Sequence, residues 1–380
     1  MIKSFTAVTR EIDDPKAAAA EILKALDLEK RLLKNSLGIV SCFSDFDDTG
    51  ALKAVCDALP FETVGATTCL CSAENEIDQI ILSVTVLTSD DCSFEAILIP
   101  VEEQYERSIE SAMEKIKKGH DKKPALFLSY FPIMHTLSGD MILSVIDKNS
   151  GGVPLYGKIA IDHTADYSTA KTIFNGKAFR EAVVLGAVYG DVEITFEIAS
   201  LDDSKTRKQK AIITESDGNI LIGVNGKTAL SYLEEIGLLK DELMTGIVPF
   251  VVDHKDGTKP VARAIYAFTP EGHAVCGGAM PKGATLSIGN IDMGSVLQTS
   301  EETMRPLAVR EGTVMSYSCL ARFFILGADI TAEAEKIKSA AGDANYLFAY
   351  AGGEICPLVD ANGSLKNYFH NYTNVFCRLR

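Results

Sequence analysis

The chain has 380 residues, 47% hydrophobic and 23% charged, which is enough apolar surface for a large core and excludes disorder as its ground state. Thirty-seven basic residues stand against fifty-two acidic ones, and the resulting net charge of −15 repels a phosphate backbone, which excludes a nucleic-acid binder. The longest apolar runs, such as Ala182 to Tyr189, fall far short of the ~20 residues that cross a bilayer, and nine scattered cysteines follow a start without a secretory signal, so a soluble cytoplasmic protein with reduced thiols is expected.

In chain order, Asp14-Pro15 and the alanine-rich run to Leu33 predict a capped helix, making residues 1–37 an N-terminal helical segment. Gly38 to Phe43 predicts a strand, Asp47 to Leu59 a helix with Leu52, Val55, Cys56 and Leu59 on one face, and Thr63 to Thr67, Ile80 to Leu87 and Phe94 to Ile99 further strands. The series then recurs: Ala125 to Tyr130 as strand, Leu137 to Ile146 as helix, Val153 to Ile161 as a Gly157-containing strand, and Ala182 to Tyr189 with Val192 to Ala199 as a hairpin about Gly190-Asp191. This predicts an internal duplication, about 38–101 and 125–201, within a first domain spanning 38–205.

The basic run Lys205 to Lys210 predicts a linker, and residues 206–380 a second, α+β domain. There Asp217-Gly218 signals a hairpin between Ala211 to Thr214 and Ile220 to Val224, and Thr228 to Ile236 is a helix ended by Gly237. Strands follow at Ile247 to Val252, Val261 to Phe268, His273 to Cys276 and Ala284 to Ile288, then helices at about Asp292 to Leu307, Ser318 to Leu326 and Thr331 to Ala340, before the last strands. The expected fold is thus α/β and α+β, two-lobed, with mixed β-sheets flanked by helices.

Those last strands carry YAGGEICPL (Tyr350 to Leu358) and YFHNYTNVF (Tyr368 to Phe376), which set Gly352, Gly353, Glu354, His370, Asn371 and Thr373 among apolar residues, the pattern of a ligand-pocket wall. Together with TESDGNILIGVNGKTALSYLEEIG (Thr214 to Gly237), PKGATLSIGNID (Pro281 to Asp292), SYSCLARFFILG (Ser316 to Gly327) and VGATTC (Val64 to Cys69), they make the chain resemble FIST domain proteins from about Gly38 to Arg380.

The resemblance implies a FIST N-terminal domain at 38–205 and a FIST C-terminal domain at 206–380 of a prokaryotic signal-input module that binds an amino acid or a similar small molecule. It implies a stand-alone sensor, with a downstream partner such as a histidine kinase, a chemoreceptor or a cyclic-dinucleotide enzyme. It also leaves open a haem-binding, nitric-oxide-sensing form. The family's pattern matches Cys319, Arg322, Glu354, His370 and Asn371, with Gly353 beside them. Arg322 then offers a bidentate fork to a carboxylate and Glu354 an acceptor for an ammonium group, unless the two pair as a buried structural bridge.

Thr67 and Thr68 follow a strand and Gly65, where small residues leave polar groups free for a ligand; Gly157, Asp162 and His163 hold the matching place in the second copy. Tight packing around the glycines is the competing reading. Cys69 and Cys71 lack a second cysteine pair, so no metal is expected. His135 or His163 would be the ligand if haem were bound. Ser138-Gly139-Asp140 and Ser316-x-Ser318-Cys319 lack a nucleophile elbow, and no Walker or Gly-x-Gly-x-x-Gly loop is present, so an enzyme is not expected; a Cys319, His370 and Asn371 thiol site is the alternative.

Overall fold

The computed structural model describes all residues except 75, 135–136, 165, 202, 239–246 and 310–311. The fold is mixed α/β, with mixed β-sheets flanked by helices. Three of its sheets have six strands each and share one strand order.

The first sheet runs β1 (Lys3–Thr9), β6 (Leu82–Ser89), β2 (Asn35–Cys42), β3 (Glu62–Thr67), β10 (Thr172–Phe174) and β11 (Lys177–Phe179). The second runs β7 (Ser93–Pro100), β12 (Ala182–Tyr189), β8 (Leu126–Phe131), β9 (Leu155–Ile159), β24 (Glu354–Val359) and β25 (Leu365–His370). The third runs β13 (Ile194–Ala199), β26 (Asn374–Leu379), β22 (Thr313–Cys319), β23 (Tyr346–Ala351), β4 (Cys71–Ala73) and β5 (Glu76–Asp78). In each, the one parallel pair is central: β2 with β3, β8 with β9, β22 with β23.

The internal repeat is therefore threefold where the sequence predicts a twofold one. The third copy consists of β13 and β22 to β26, split by an insertion. Each copy gives its hairpin away: β4–β5 pairs with β23, β10–β11 with β3, and β24–β25 with β9, so the three copies are interlocked in a ring. The expected hairpin at Gly190-Asp191 is not one. β12 and β13 belong to different sheets, and Gly190, at φ +124, turns the chain from one to the next. Position 205 does not divide the three six-stranded sheets into two sets, because β24–β25 and β26 complete sheets begun before it.

Alternation along the strands explains the layering. Leu128, Tyr156, Ile39, Val64, Tyr317 and Ala349 face a common inner core drawn from all three sheets. Their neighbours face outward to helices. Phe127 and Leu155 pack with Ile109 and Met113 of α5 (Tyr105–Gly119) and Ile142 of α6 (Gly139–Ser150). Val40 packs with Ile22 of α1 (Pro15–Leu26) and Leu52 of α4 (Ala51–Asp57); short helices α2 (Leu28–Arg31) and α3 (Asp45–Asp48) complete that layer. Asp14 caps α1 as predicted, its carboxylate accepting from Lys16 N and Ala17 N. The segment before it holds β1, an edge strand that the helical reading of 1–37 omits.

The insertion carries β14 (Ala211–Asp217), β15 (Ile220–Val224), β16 (Lys227–Thr228), β17 (Phe250–Asp253), β18 (Val261–Arg263), β19 (Ile265–Phe268), β20 (Ala274–Cys276) and β21 (Thr285–Ile288) as one sheet, with α7 (Ala229–Glu235) and its own core. Its ends meet in an antiparallel bridge between Thr206 and Gly289. Beyond it lie α8 (Met293–Met304), α9 (Leu320–Leu326) and α10 (Ala332–Ala341). Residues 316–319, partly assigned to a helix from sequence, end the central strand β22 instead.

Lys158 of β9 joins all three copies. Its buried ammonium donates to the carbonyls of Thr67 (3.1 Å) in the first and Tyr350 (3.3 Å) in the third. Burial pulls the amine down to about 8.

Candidate functional site

The family-matched residues cluster at the end of β22, but in separate settings. Arg322, one turn into α9, is 1% exposed. Its Nε and Nη2 meet Glu333 Oε1 at 2.9 and 2.8 Å, and Nη2 also donates to the Val296 carbonyl and Ser300 Oγ. Nη1 donates to the carbonyls of Ala199 and Tyr372. Glu333 in turn accepts from Ser300, Ser318 and Tyr350. The guanidinium fork is fully used, and its acidic partner is Glu333 of α10, so neither the ligand-carboxylate role nor a bridge to Glu354 describes Arg322.

Glu354 opens β24 with no exposed surface. Its Oε2 accepts from Thr373 Oγ1 at 2.7 Å, and the Cys319 thiol lies against the carboxyl. Oε1 is buried without a hydrogen-bond partner. Burial holds this carboxyl well above the ordinary glutamate range, and burial next to the carboxyl pushes the Cys319 thiol up. Burial thus favours the uncharged form of both groups.

Three tyrosines missed from the sequence converge here. Tyr266 of β19, Tyr167 of the loop after β9, and Tyr372 between β25 and β26 all border Cys319. Tyr266 is 54% exposed, yet desolvation of its hydroxyl, followed by the nearby Cys319, Tyr167 and Glu354, raises the phenol. Tyr167 adopts a left-handed backbone, φ 54, a strained geometry that its loop must hold in place. Among the described residues none of the three hydroxyls makes a side-chain hydrogen bond.

Asn371 links this cluster to the insertion. Its Oδ1 accepts from Ala264 N at 3.2 Å and its Nδ2 donates to the His370 carbonyl. Gly277 passes so close that a Cβ there would sit 2.4 Å from Asn371 Oδ1 and 2.9 Å from the Tyr266 hydroxyl. Next to it, fully buried Arg263 donates to Phe369 and Ala279 carbonyls and stands 3.6 Å from Asp140 of α6.

The other predicted residues do other work. His370 is buried with Nε2 on the Cys356 carbonyl at 2.9 Å and is drawn down to about 4, chiefly by burial; its ring does not engage Cys319. Gly353 makes room for Phe369, whose ring atoms would lie 2.2 Å from an added Cβ. Thr67 and Thr68 are buried, with hydroxyls on the carbonyls of Lys171 and of Leu70 and Tyr350. Backbone pairing uses the polar groups expected to face a ligand. Gly157 is packed onto the Ser129 carbonyl, Asp162 accepts from Thr164 and Thr169, and His163 stacks on Phe43 at 4.5 Å. His135 lies outside the described residues.

All nine cysteines are free and buried. Cys69 and Cys71 belong to different core clusters, and among the described residues no group of three or more His, Cys, Asp or Glu could hold a metal. No described helix is long and apolar enough to cross a membrane.

Compared with known families, residues 36–227 match the FIST N domain and residues 229–357 the FIST C domain. No curated protein matches the chain.

Proposed function

Because the chain belongs to the FIST family, whose domains are sensory signal-transduction domains, we propose that it is a small-molecule sensor that binds its ligand in the Cys319–Glu354–Tyr266 cleft without turning it over. The observation that carries this is Glu354, a fully buried carboxyl with one oxygen that has no hydrogen-bond partner, next to Cys319 and near Tyr266. An orphaned buried polar atom costs about 1–3 kcal/mol, a cost that a bound ligand removes.

Absence of turnover is supported by chemistry: burial disfavours the thiolate, and His370 bonds a carbonyl rather than the thiol. The output is a partner protein in a prokaryotic cytoplasm, reached through movement of the insertion, since Asn371 and Tyr266 tie the cleft to it. The haem alternative rests on the resemblance alone, and a Soret band in purified protein would replace the present reading.

The test is thermal stabilisation of the purified protein by fractionated bacterial metabolite extract. An active fraction should lose its effect on Tyr266→Phe, and no substrate should disappear from it. Stabilisation unchanged by Tyr266→Phe, or consumption abolished by Cys319→Ala, would reject the reading.

A further inference from the structure

The insertion meets the rest of the molecule along a narrow, largely polar seam. Among the described residues that pack with its apolar core, only Leu358 and Tyr368 of the β24–β25 hairpin come from outside it. Elsewhere along the seam it presents the small side chains of Ala262 and Ala264.

The polar contacts converge on Arg263. Fully buried, it donates through Nη1 to the Phe369 carbonyl at 2.9 Å, while Nη2 has no hydrogen-bond partner and stands 3.6 Å from Asp140 Oδ2. That carboxylate oxygen is engaged from the insertion already, accepting from Ala279 N at 2.6 Å. Gly278 lets the two charges meet, since a Cβ there would lie 2.4 Å from Asp140 Oδ2 and 2.8 Å from Arg263 Nε.

A guanidinium with one unmet donor, its carboxylate beyond hydrogen-bond reach, is costly to bury, and water would solvate both groups if the seam opened. The buried charge therefore opposes the contacts that favour closure, which are Ala264 N on Asn371, Ala279 N on Asp140, and Lys366 and Tyr368 on Asp256. Units joined by a small polar interface move relative to one another. The chain enters and leaves the insertion side by side, with Arg207 N on the Ile288 carbonyl and Asn290 N on that of Lys205.

We propose that the insertion is a hinged lid that swings about the paired segments 205–207 and 288–290, with the Arg263–Asp140 ion pair as the latch that holds it shut. Lifting the lid carries Tyr266 away from Cys319, while the β24–β25 hairpin stays behind on β9. Use of this motion to admit a ligand rests on the sensor reading above. The motion itself belongs to the free chain.

Alkylation of the ligand-free full chain with N-ethylmaleimide, read cysteine by cysteine by mass spectrometry, measures the opening. Cys319 borders the lid, whereas Cys71 and Cys377 lie in the core that the three sheets enclose and react only on global unfolding. Cys319 should react at least ten-fold faster than either. Asp140→Asn keeps an acceptor for Ala279 N but strips the guanidinium of its counter-charge, and should speed Cys319 about ten-fold more with Cys71 and Cys377 unchanged. Gly257→Cys with Ala361→Cys spans the seam, where the Cβ atoms would stand 3.4 Å apart, close to disulfide spacing. Oxidised, that variant should slow Cys319 to the rate of Cys71, and reduction should restore it.

Cys319 reacting in step with Cys71 and Cys377, or indifferent to the disulfide, would overturn the lid. An Asp140→Asn rate within two-fold of wild type would overturn the latch. Neither outcome bears on the sensor reading, which falls on the Tyr266→Phe test with metabolite extract, and that failure would leave the lid standing.

Discussion

Replacing Arg322 with Met removes the cation that compensates fully buried Glu333, and breaking a buried pair in this way costs about 3–5 kcal/mol. Urea denaturation should show that loss, and a second change, Glu333→Leu, should recover most of it. A loss of ligand binding without a loss of stability would return Arg322 to the site. Lys158 has the opposite economy. Both carbonyls it serves keep other donors, Ile161 N and Thr68 Oγ1, so Lys158→Met deletes a desolvated cation without orphaning an acceptor. The amine falls from 10.5 to about 8 in the fold, so between those pH values this group binds more protons in the unfolded chain and its unfavourable contribution to wild-type stability fades with rising pH. At pH 7 the variant should therefore be more stable by up to about 3 kcal/mol, and its advantage should shrink between pH 8 and 10.5. Thiols work against the wild type there: burial raises Cys69, Cys71 and Cys276 to about 12 and Cys56 to about 11 from 9.0. They ionise only on unfolding, so both proteins lose stability above pH 9.

Among elements, the parallel pairs β2–β3 and β8–β9 each need one glycine. A Cβ on Gly65 would lie 1.9 Å from the Val40 carbonyl oxygen, and one on Gly157 would lie 1.7 Å from that of Ser129. Only separation of the strands relieves such contacts, so Gly65→Ala and Gly157→Ala should each lower stability by about 3 kcal/mol or more, measured by thermal unfolding. Gly283→Ala is the control: nothing lies within 4 Å and the cost is only its positive φ, 88, about 1 kcal/mol. The Asp14 cap and the Asp217-Gly218 turn were legible in sequence because each acts through local backbone geometry. β22 was not, because its end at Ser318 reads as the start of the helix to Leu326, and the partners that hold Ser316 and Ser318 in the strand, Asn374 and Glu333, are distant in the chain. The same limit hid half of the site. Cys319, Glu354 and Asn371 carried a family pattern, whereas Tyr167, Tyr266 and Tyr372 sit in three segments with no common spacing. Arg322 was legible as buried and charged, but its partner on α10 was not, since a carboxylate eleven residues away on another helix looks like any solvated glutamate.

At the scale of the whole molecule, the exchanged hairpins decide what can fold alone. Cutting the chain at 205 leaves the first part with β9 lacking β24, β13 lacking β26, and β4–β5 lacking β23. It also removes Tyr317, Leu347 and Ala349 from the core that all three sheets enclose. Unpaired edges beside an opened core template aggregation, so residues 1–205 expressed alone should be insoluble or molten, and so should residues 206–380, whose β23 and β24 lose their partners. Co-expressed, the two fragments should assemble and unfold in one transition, because two of the three six-stranded sheets cross the cut. The insertion is different in kind: its ends are joined by the Thr206–Gly289 bridge and it has its own core. Replacing 206–289 by a short turn should therefore leave a folded body that has lost Tyr266 and every ligand response. Fragment solubility, analytical ultracentrifugation of the co-expressed pair and calorimetric unfolding measure these outcomes. A soluble, cooperatively folded 1–205 fragment would show that the hairpin exchange contributes little, and that the two family regions are independent domains.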